Sequence, residues 1–150
     1  MTRRIDVAAA VIRKNGTTLI CSRPKNSDLA AFWEFPGGKC EPGETPEQCI
    51  IRECHEELGI SITPLDRVHT LEHHYPDKFV RVIFIRCLMD KNSPAPQPLD
   101  NQEIKWVQTE QLHTENLLPA DLPLATLLAN AVFFTKNQNA YNKCHPHCVK

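Results

Sequence analysis

The sequence GKCEPGETPEQCIIRECHEELGI, residues 38 to 60, carries the strongest structural and chemical signal in the chain. Within it, Glu53, Glu56 and Glu57 follow the spacing i, i+3, i+4, which stacks three side chains on one face of an α-helix. Carboxylates this close repel one another unless a cation neutralises them. Because the donors are all oxygen, the pattern favours a hard ion, Mg²⁺ or Mn²⁺, of the kind that binds polyphosphates.

The helix that presents these carboxylates has signals at both ends. Thr45 takes the N-cap position, Pro46 the first helical position and Gln48 the third, which together predict a capping box. Gly59 is the expected C′ residue. An apolar stripe should face the core, formed by Ile50, Ile51, Cys54 and Leu58. The alternative, an amphipathic helix whose acidic side is merely solvated, leaves the flanking residues unexplained.

Composition narrows the class of protein. A chain of 150 residues is expected to form one domain, and its net charge of −1 argues against a protein that binds a nucleic-acid polymer. We expect no membrane span and no signal peptide, because no apolar run is long enough. Seven cysteines, two of them within the predicted helix, are typical of a reduced cytoplasmic protein. The sequence identifies no protein partner.

The remaining pattern predicts strands on both sides of the acidic helix. The apolar run 5–13 reads as a buried strand that turns at Asn15-Gly16. The other expected elements are strands at 17–22, 62–75, 78–89 and 104–107, a polar loop at 23–30, a corner at Gly37-Gly38, an irregular stretch at 111–123 and a helix at 124–134. This order predicts a mixed sheet between helices, with a domain at 1–135 and a polar tail at 136–150.

The central stretch resembles the Nudix box. Gly38 is followed after five residues by Glu44. After seven more residues comes the run RECHEELGI, residues 52–60. Every fixed position is filled, and Cys54 takes a slot that is usually a larger aliphatic residue. The resemblance implies an α/β/α sandwich with a mixed sheet and a Mg²⁺-dependent pyrophosphohydrolase, with Mn²⁺ as a substitute metal.

Further segments resemble the MutT branch of that family. They are FWEFPGGK at 32–39, YPDK at 75–78, LLPADLP at 117–123 and Arg23, so that the similarity spans residues 5–134. MutT-like enzymes hydrolyse oxidised purine nucleoside triphosphates, chiefly 8-oxo-dGTP, to the monophosphate and pyrophosphate. The implied partner is therefore a small nucleoside triphosphate.

The resemblance also implies residue roles at a metal site. The metal ligands would be the Gly37 carbonyl oxygen with Glu53, Glu56 and Glu57. A further carboxylate would come from Asp100, which precedes Trp106 in the pattern Asp-x-Gln, with Glu103 as the fallback. Aspartate is one methylene shorter than the usual glutamate.

Three box residues are the expected catalytic group. Glu53 is the candidate base, or the metal-bound partner of the base, for attack of water on the β-phosphorus. Arg52 either reaches the phosphates or orients the carboxylates through a bidentate pair, and we favour orientation. Glu44 is expected to support the loop before the helix or a bridging water.

The implied substrate-binding residues lie mostly outside the box. They are Arg23, Glu34, Phe35, Pro36, Gly37, Lys78 and Asp121. Arg23, Phe35 and Asp121 are the candidates for contacts with the base, although Phe35 also suits the core and Lys78 also suits a solvated turn. Asp28 departs from the pattern, because close relatives often carry His there.

Alternative functions remain open on the sequence. The Pro-Ala-Asp-Leu-Pro run at 119–123 also occurs in enzymes that hydrolyse CTP or 5-methyl-dCTP. A non-catalytic Nudix domain that binds a nucleotide or a partner is a remote alternative, disfavoured by the complete carboxylate set. The run Cys144-His145-Pro146-His147-Cys148 offers soft-metal ligands such as Zn²⁺ uses, but its spacing matches no standard finger.

Overall fold

The computed structural model describes residues 3–27 and 31–131. Within them the strands are β1 (Arg3–Lys14), β2 (Thr17–Ser22), β3 (Trp33–Glu34), β4 (Gly37–Lys39), β5 (Ile62–His74), β6 (Lys78–Met89) and β7 (Ile104–Gln108). The helices are α1 (Pro46–Leu58), a 3₁₀ turn (Thr109–Thr114) and α2, which occupies 122–131. No helix in this part of the chain is long and apolar enough to cross a membrane.

The strands form one mixed seven-stranded sheet with the order β3-β2-β1-β6-β5. β1 runs parallel to β6 and antiparallel to β2 and β4, while β7 pairs with β2. β1 is buried on both faces, as its continuous apolar run predicts. This strand therefore forms the centre of the domain, and β4 is held against it at Val7–Ala9.

One helix covers each face of the sheet. On one face, Ala8, Ala10 and Ile12 pack with the buried side of α1. On the opposite face, Ala9 and Val11 share a core with Leu124 and other residues of the α2 side. The architecture confirms the predicted α/β/α sandwich with a mixed sheet.

Helix α1 begins and ends as the sequence predicts. The Thr45 hydroxyl accepts a hydrogen bond from the Gln48 N–H at 3.1 Å, and the Gln48 side chain accepts one from the Thr45 N–H at 2.9 Å. Gly59 ends the helix in the left-handed conformation with a φ of 67°. The capping box thus fixes where the acidic face starts.

The predicted apolar stripe of α1 is wrong at one position. Ile51 is 44% exposed, whereas Cys49 and Ile50 are fully buried. Successive residues of an α-helix are rotated by about 100°, so a core that takes both Cys49 and Ile50 leaves Ile51 on the outer side. The buried side is formed by Cys49, Ile50, Cys54 and Leu58.

Other boundaries differ in detail. The Gly37-Gly38 corner is a short strand, and the supposedly irregular stretch 111–123 contains the end of a 3₁₀ turn and the start of α2, which begins at 122. The β5–β6 hairpin is confirmed, with register shifts between Pro64 and Arg67 and between Arg67 and His69. Asp28, positions 132–134 of the predicted helix and the tail 136–150, including Cys144–Cys148, lie outside the described residues.

Candidate active site

The glycines of β4 bring the backbone close to the acidic helix. A Cβ on Gly37 would lie 2.0 Å from the Ala8 carbonyl oxygen, so β4 can pair with β1 only because this residue lacks a side chain. A Cβ on Gly38 would lie 2.6 Å from the Glu53 carboxyl group. The strand therefore places the Gly37–Gly38 backbone directly beside the Glu53 side chain.

Arg52 lies at the centre of the acidic cluster. Its Nε and Nη2 bind the two carboxylate oxygens of Glu44 at 2.8 and 2.9 Å, while Nη1 donates to Glu53 at 3.0 Å and to Glu56 at 3.3 Å. Nη2 also donates to the Lys39 carbonyl oxygen at 3.2 Å. A guanidinium group has five N–H donors, and these contacts use all five. In this arrangement Arg52 directs its N–H groups at carboxylates and at the Lys39 carbonyl oxygen.

The ion pair between Arg52 and Glu44 affects the protonation of Glu44. The hydrogen bond from Arg52 and the backbone hydrogen bond from Glu41 lower the pKa of Glu44 to about 2. Glu44 therefore stays ionised at all physiological pH values and holds Arg52 on the loop side of the helix. The predicted role of Glu44, support of the loop or of a bridging water, stays a prediction.

Glu53 and Glu57 form the inner pair of carboxyl groups. Glu53 is only 13% exposed at its side chain, and the two groups interact directly. Burial, the contact with Glu53 and the charge of Asp100 all raise the pKa of Glu57. Without a cation, the protonated form of Glu57 is therefore favoured, as expected for a carboxyl group that is buried beside other carboxyl groups.

The loop before β7 brings Asp100 toward this pair. Gln102 is buried; its side-chain oxygen accepts from the Asp100 N–H at 2.8 Å, and its Nε2 donates to the Glu57 carbonyl oxygen at 3.0 Å. Sequence reasoning missed Gln102 as a site residue, although it is the last residue of the Asp-x-Gln pattern. Glu103, the fallback ligand, is exposed and pairs through its backbone with Ser22.

The predicted ligand set is only partly assembled. In residues 3–27 and 31–131, no group of three or more His, Cys, Asp or Glu side chains is positioned to hold a metal ion. Glu56 is 60% exposed and lies on Arg52, and Asp100 is exposed. Glu53 and Glu57 nevertheless fit a hard divalent ion, because the donors are oxygen and the pair repels without a cation. Completing the set requires the Glu56 and Asp100 side chains to turn.

A cavity of about 240 Å³ adjoins the glycine strand. Its walls include the predicted residues Arg23, Glu34, Phe35, Gly37 and Asp121. Arg23 follows β2, Glu34 ends β3, Phe35 and Gly37 lie at the start of β4 or just before it, and Asp121 lies in the turn before α2. We call this cavity the base cleft, after the nucleobase contacts that the resemblance predicts for Arg23, Phe35 and Asp121.

Two basic residues, Arg23 and Lys39, and two carboxyl groups, Glu34 and Asp121, line the base cleft. Arg23 Nη1 donates to Glu34 at 3.3 Å, but burial outweighs this ion pair and raises the pKa of Glu34. Arg23 Nε is buried and has no hydrogen-bond partner among the described residues. An orphaned donor of this kind indicates a missing acceptor.

Asp121 is the most deeply buried carboxyl group of the cleft. It is 6% exposed and accepts a hydrogen bond from the Phe35 N–H at 3.3 Å. Burial, followed by the nearby Glu34, raises the pKa of Asp121 to about 7. At neutral pH the group is therefore divided between an accepting form and a form that can also donate.

Three of the predicted substrate residues, Phe35, Pro36 and Lys78, have their main contacts outside the base cleft. Phe35 packs edge-on against Phe84 with ring centroids 5.9 Å apart, so its side chain belongs mainly to the core. Pro36 is not among the residues that line the cleft, and its carbonyl oxygen accepts from the Ala10 N–H at 2.7 Å. Lys78 lies at the tip of the β5–β6 hairpin, 4.9 Å from the Tyr75 ring centroid.

Tyr75 borders a second, apolar cavity of about 320 Å³. This cavity and the base cleft share the wall residues Val82 and Ala120. Lys78 lies beside Tyr75 and is not among the residues that line the base cleft.

The chain is similar to known nucleotide hydrolases and to a solved MutT structure. The chain is 41% identical over 91 residues to an 8-oxo-dGTP diphosphatase of Proteus vulgaris, covering 60% of this chain and 81% of that protein. It is 36% identical over 124 residues to a CTP pyrophosphohydrolase of Escherichia coli, covering 81% and 89%. A solved structure of a Nudix-family MutT protein from methicillin-resistant Staphylococcus aureus matches with a TM-score of 0.71 at 32% identity, covering 87% and 99%.

The profile of the NUDIX domain matches residues 2–130, which is most of the chain and includes the acidic helix, the glycine strand and the base cleft. The resemblance noted in the sequence is thereby confirmed, together with hydrolysis of phosphorus anhydrides as the class of reaction. The chain belongs to the NUDIX family and is similar to its MutT-like members.

Proposed function

We propose that this protein is a Mg²⁺-dependent nucleoside triphosphate pyrophosphohydrolase that converts 8-oxo-dGTP to 8-oxo-dGMP and pyrophosphate. Such an activity removes an oxidised precursor from the nucleotide pool before it is incorporated into DNA. Support comes from the similarity to 8-oxo-dGTP diphosphatases, at 41% identity in Proteus vulgaris and 32% in Escherichia coli. The catalytic domain that we propose spans residues 1–135.

The observation that carries the base preference is the pairing of two carboxyl groups with one guanidinium in the base cleft. An 8-oxoguanine base offers N–H donors at N1, N2 and N7 and carbonyl acceptors at O6 and O8. Glu34 and Asp121 supply acceptors for such donors, and the orphaned Arg23 Nε supplies a donor for a carbonyl. A base rich in donors satisfies this cleft better than one with a single amino group.

The metal would be held by Glu53 and Glu57 with the Gly37 carbonyl oxygen, joined by Glu56 and Asp100. When bound, Mg²⁺ supplies neutralisation of the polyphosphate charge and lowers the pKa of water. Its positive charge would also remove the repulsion that keeps a proton on Glu57. One of these proposed ligands, Glu53, is held by a hydrogen bond from Arg52.

We assign the proton transfer to the inner carboxyl pair, Glu53 and Glu57. Glu53 is the proposed base for the water that attacks the β-phosphorus, because its carboxyl group adjoins the glycine strand that lines the cleft. Arg52 holds Glu53 in place through its Nη1 and is itself fixed by the ionised Glu44. Arg52 and Glu44 are thus positioning residues in this scheme.

A second candidate substrate class is CTP or 5-methyl-dCTP. The similarity to the Escherichia coli CTP pyrophosphohydrolase covers more of this chain than the similarity to the Proteus enzyme. An ionised Asp121 could accept a hydrogen bond from the cytosine amino group. Cytosine offers the two carboxyl groups of the cleft a single amino group, whereas 8-oxoguanine offers donors at three nitrogens, which is why we place cytosine second.

The experiment that tests the substrate is pyrophosphate release with Mg²⁺ from 8-oxo-dGTP, dGTP, CTP and 5-methyl-dCTP. We expect kcat/KM for 8-oxo-dGTP to exceed the other three values by about tenfold or more, the discrimination available to a site that hydrogen-bonds a base. A higher value for either cytosine nucleotide would replace the first proposal with the second. No pyrophosphate from any nucleotide would reject both.

The inner carboxyl pair is tested separately with Glu53→Gln and Glu57→Gln. Glutamine keeps the side-chain length but removes the charge, so we expect kcat to fall by about 10²-fold or more in each variant. Glu72→Gln is the matched control, because Glu72 is an exposed carboxylate on β5 outside the site. Near-normal turnover in both site variants would show that the chemistry lies elsewhere.

A further inference from the structure

Two cysteines inside the acidic stretch lie in contact with each other. Cys40 follows β4, and Cys49 lies in the first turns of α1. Cys40 packs against the core cluster that contains Cys49, and the two thiols are close enough to affect the pKa of one another. Cys40 is partly exposed, whereas Cys49 is fully buried. An oxidant from solvent can therefore reach the first thiol, and the second thiol is already at its side.

We propose that Cys40 and Cys49 are an oxidation site, whose disulfide forms in the presence of a hydroperoxide and lowers the hydrolase activity. The Cys40 thiol is first oxidised to a sulfenic acid, and the hydroperoxide is reduced to the alcohol, or to water. The Cys49 thiol then displaces water from the sulfenic acid as the S–S bond forms. Two electrons leave the thiols in total, and a reducing thiol reverses the change.

Cys49 connects this bond to the active site. Its thiol donates to the Gly38 carbonyl oxygen at 3.5 Å, and Arg52 Nη2 lies 3.9 Å from its sulfur. A disulfide has no hydrogen to donate, so oxidation removes the bond to Gly38. It also draws the Cys49 sulfur toward Cys40 and away from its position beside Arg52.

The loop closed by the bond carries Glu44. The ring would run from residue 40 to residue 49, and Glu44 holds Arg52 from within it. Gly38 lies beside the Glu53 carboxyl group. A change in the shape of this loop would therefore displace both Arg52 and Glu53. The disulfide itself need not contact the substrate.

Burial raises the pKa of both thiols. Because the thiolate is the reacting form, the pair should oxidise slowly and respond to sustained exposure. The other described cysteines, Cys21, Cys54 and Cys87, are buried in the core, so Cys40 is the most accessible thiol among the described residues.

The test uses the full chain with Cys144→Ser and Cys148→Ser as background, treated with hydrogen peroxide and then digested with trypsin. Cleavage after Lys39 and Arg52 gives one peptide, 40–52, that contains both cysteines. We expect this peptide to lose the mass of two hydrogens and kcat/KM to fall by about tenfold, the scale for a disturbed supporting contact. Dithiothreitol should restore both.

Cys40→Ser is the matched variant, because it leaves the Cys49–Gly38 bond in place. It should keep the basal activity and resist inactivation by peroxide. A peptide of unchanged mass after treatment would overturn the proposal, as would a disulfide with full activity or equal inactivation of Cys40→Ser. The effect on activity rests on the proposed function, whereas the peptide mass does not. A reduced enzyme inactive on all nucleotides would reject the function separately.

Discussion

Arg52 shows how one residue can organise an acidic site before any cation arrives. Its five N–H donors are shared among Glu44, Glu53, Glu56 and the Lys39 carbonyl oxygen. A lysine could not reproduce this pattern, because an ammonium group lacks the planar fork that binds a carboxylate through two parallel bonds. The sequence alone left Arg52 with two possible roles, and the contacts favour orientation.

Asp121 has the opposite character, because its protonation is balanced. With a pKa near 7, it is an acceptor in one form and a donor as well in the other. Among the described residues, its carboxyl group accepts one hydrogen bond, from the Phe35 N–H to Oδ2, so the other oxygen is available to a ligand in the cleft. This makes Asp121 the residue at which base selection is best tested.

Replacing Asp121 by Ala should lower kcat/KM for the preferred nucleotide by a factor equivalent to about 1–3 kcal/mol, the value of a specific base contact. The weak substrates of the same panel should change little, because the phosphate and metal contacts remain. Asp121→Asn is the matched variant, since an amide both donates and accepts without charge. A uniform fall for all four nucleotides would show that Asp121 is structural and does not select the base.

At the scale of elements, the end of α1 and the loop before β7 form one unit. The Leu99 N–H and Gln102 Nε2 both donate to the Glu57 carbonyl oxygen, and the Gln97 N–H donates to the Leu58 carbonyl oxygen. The loop thus satisfies carbonyl groups that the last turn of a helix leaves free. The same contacts fix the backbone of Asp100 beside Glu57.

Gln102→Leu should therefore weaken metal binding more than it alters the fold. The variant loses both bonds that hold Asp100 in place, and we expect the Mn²⁺ dissociation constant and the Mg²⁺ concentration for half-maximal rate to rise about tenfold. Mn²⁺ binding can be followed by electron paramagnetic resonance without substrate. Gln97→Leu is the control, because Gln97 is exposed and contributes only its backbone. Equal metal binding in wild type and Gln102→Leu would exclude a positioning role.

The sequence predicted those elements whose signals are local. The capping box of α1 depends on Thr45 and Gln48, three residues apart, and the first hairpin depends on Asn15-Gly16. The exposure of Ile51 could not be predicted, because Cys49 and Ile51 flank Ile50 on the helix and the sequence does not show which of the two faces the core. Gln102 could not be identified, because its role depends on contact with a helix 45 residues away.

On the scale of the whole molecule, the sheet gathers carboxyl groups that the net charge of −1 conceals. Burial raises the pKa of Glu34, of Glu57 and of Asp121, although they come from three separate elements. Each group is thus held in its protonated form more firmly in the folded chain than in the unfolded chain. Burying several carboxyl groups lowers the stability of the folded protein at neutral pH, and such perturbed groups are typical of functional sites.

This arrangement predicts how the stability of the metal-free protein depends on pH. Asp121 has a pKa of about 7 when folded, against an ordinary value of 3.8, so between these values the folded state binds more protons. Stability must then fall as the pH rises through this window, and Glu34 and Glu57 act in the same direction. Glu44 acts in the opposite direction, since its pKa is about 2, but only at pH values below its ordinary 4.5.

We expect Tm in EDTA to fall between pH 5 and pH 8 by roughly 5–10 °C, because Asp121 alone contributes about 3 kcal/mol over this range. Asp121→Asn should flatten the profile, because the amide does not titrate. Added Mg²⁺ should raise Tm more at pH 8 than at pH 5, since ligand carboxylates must be ionised to bind it. Differential scanning calorimetry on both proteins, with and without Mg²⁺, measures all three effects. A wild-type Tm that rises over this range, or a profile that Asp121→Asn leaves unchanged, would mean that the buried carboxyl groups do not retain their protons in the folded protein.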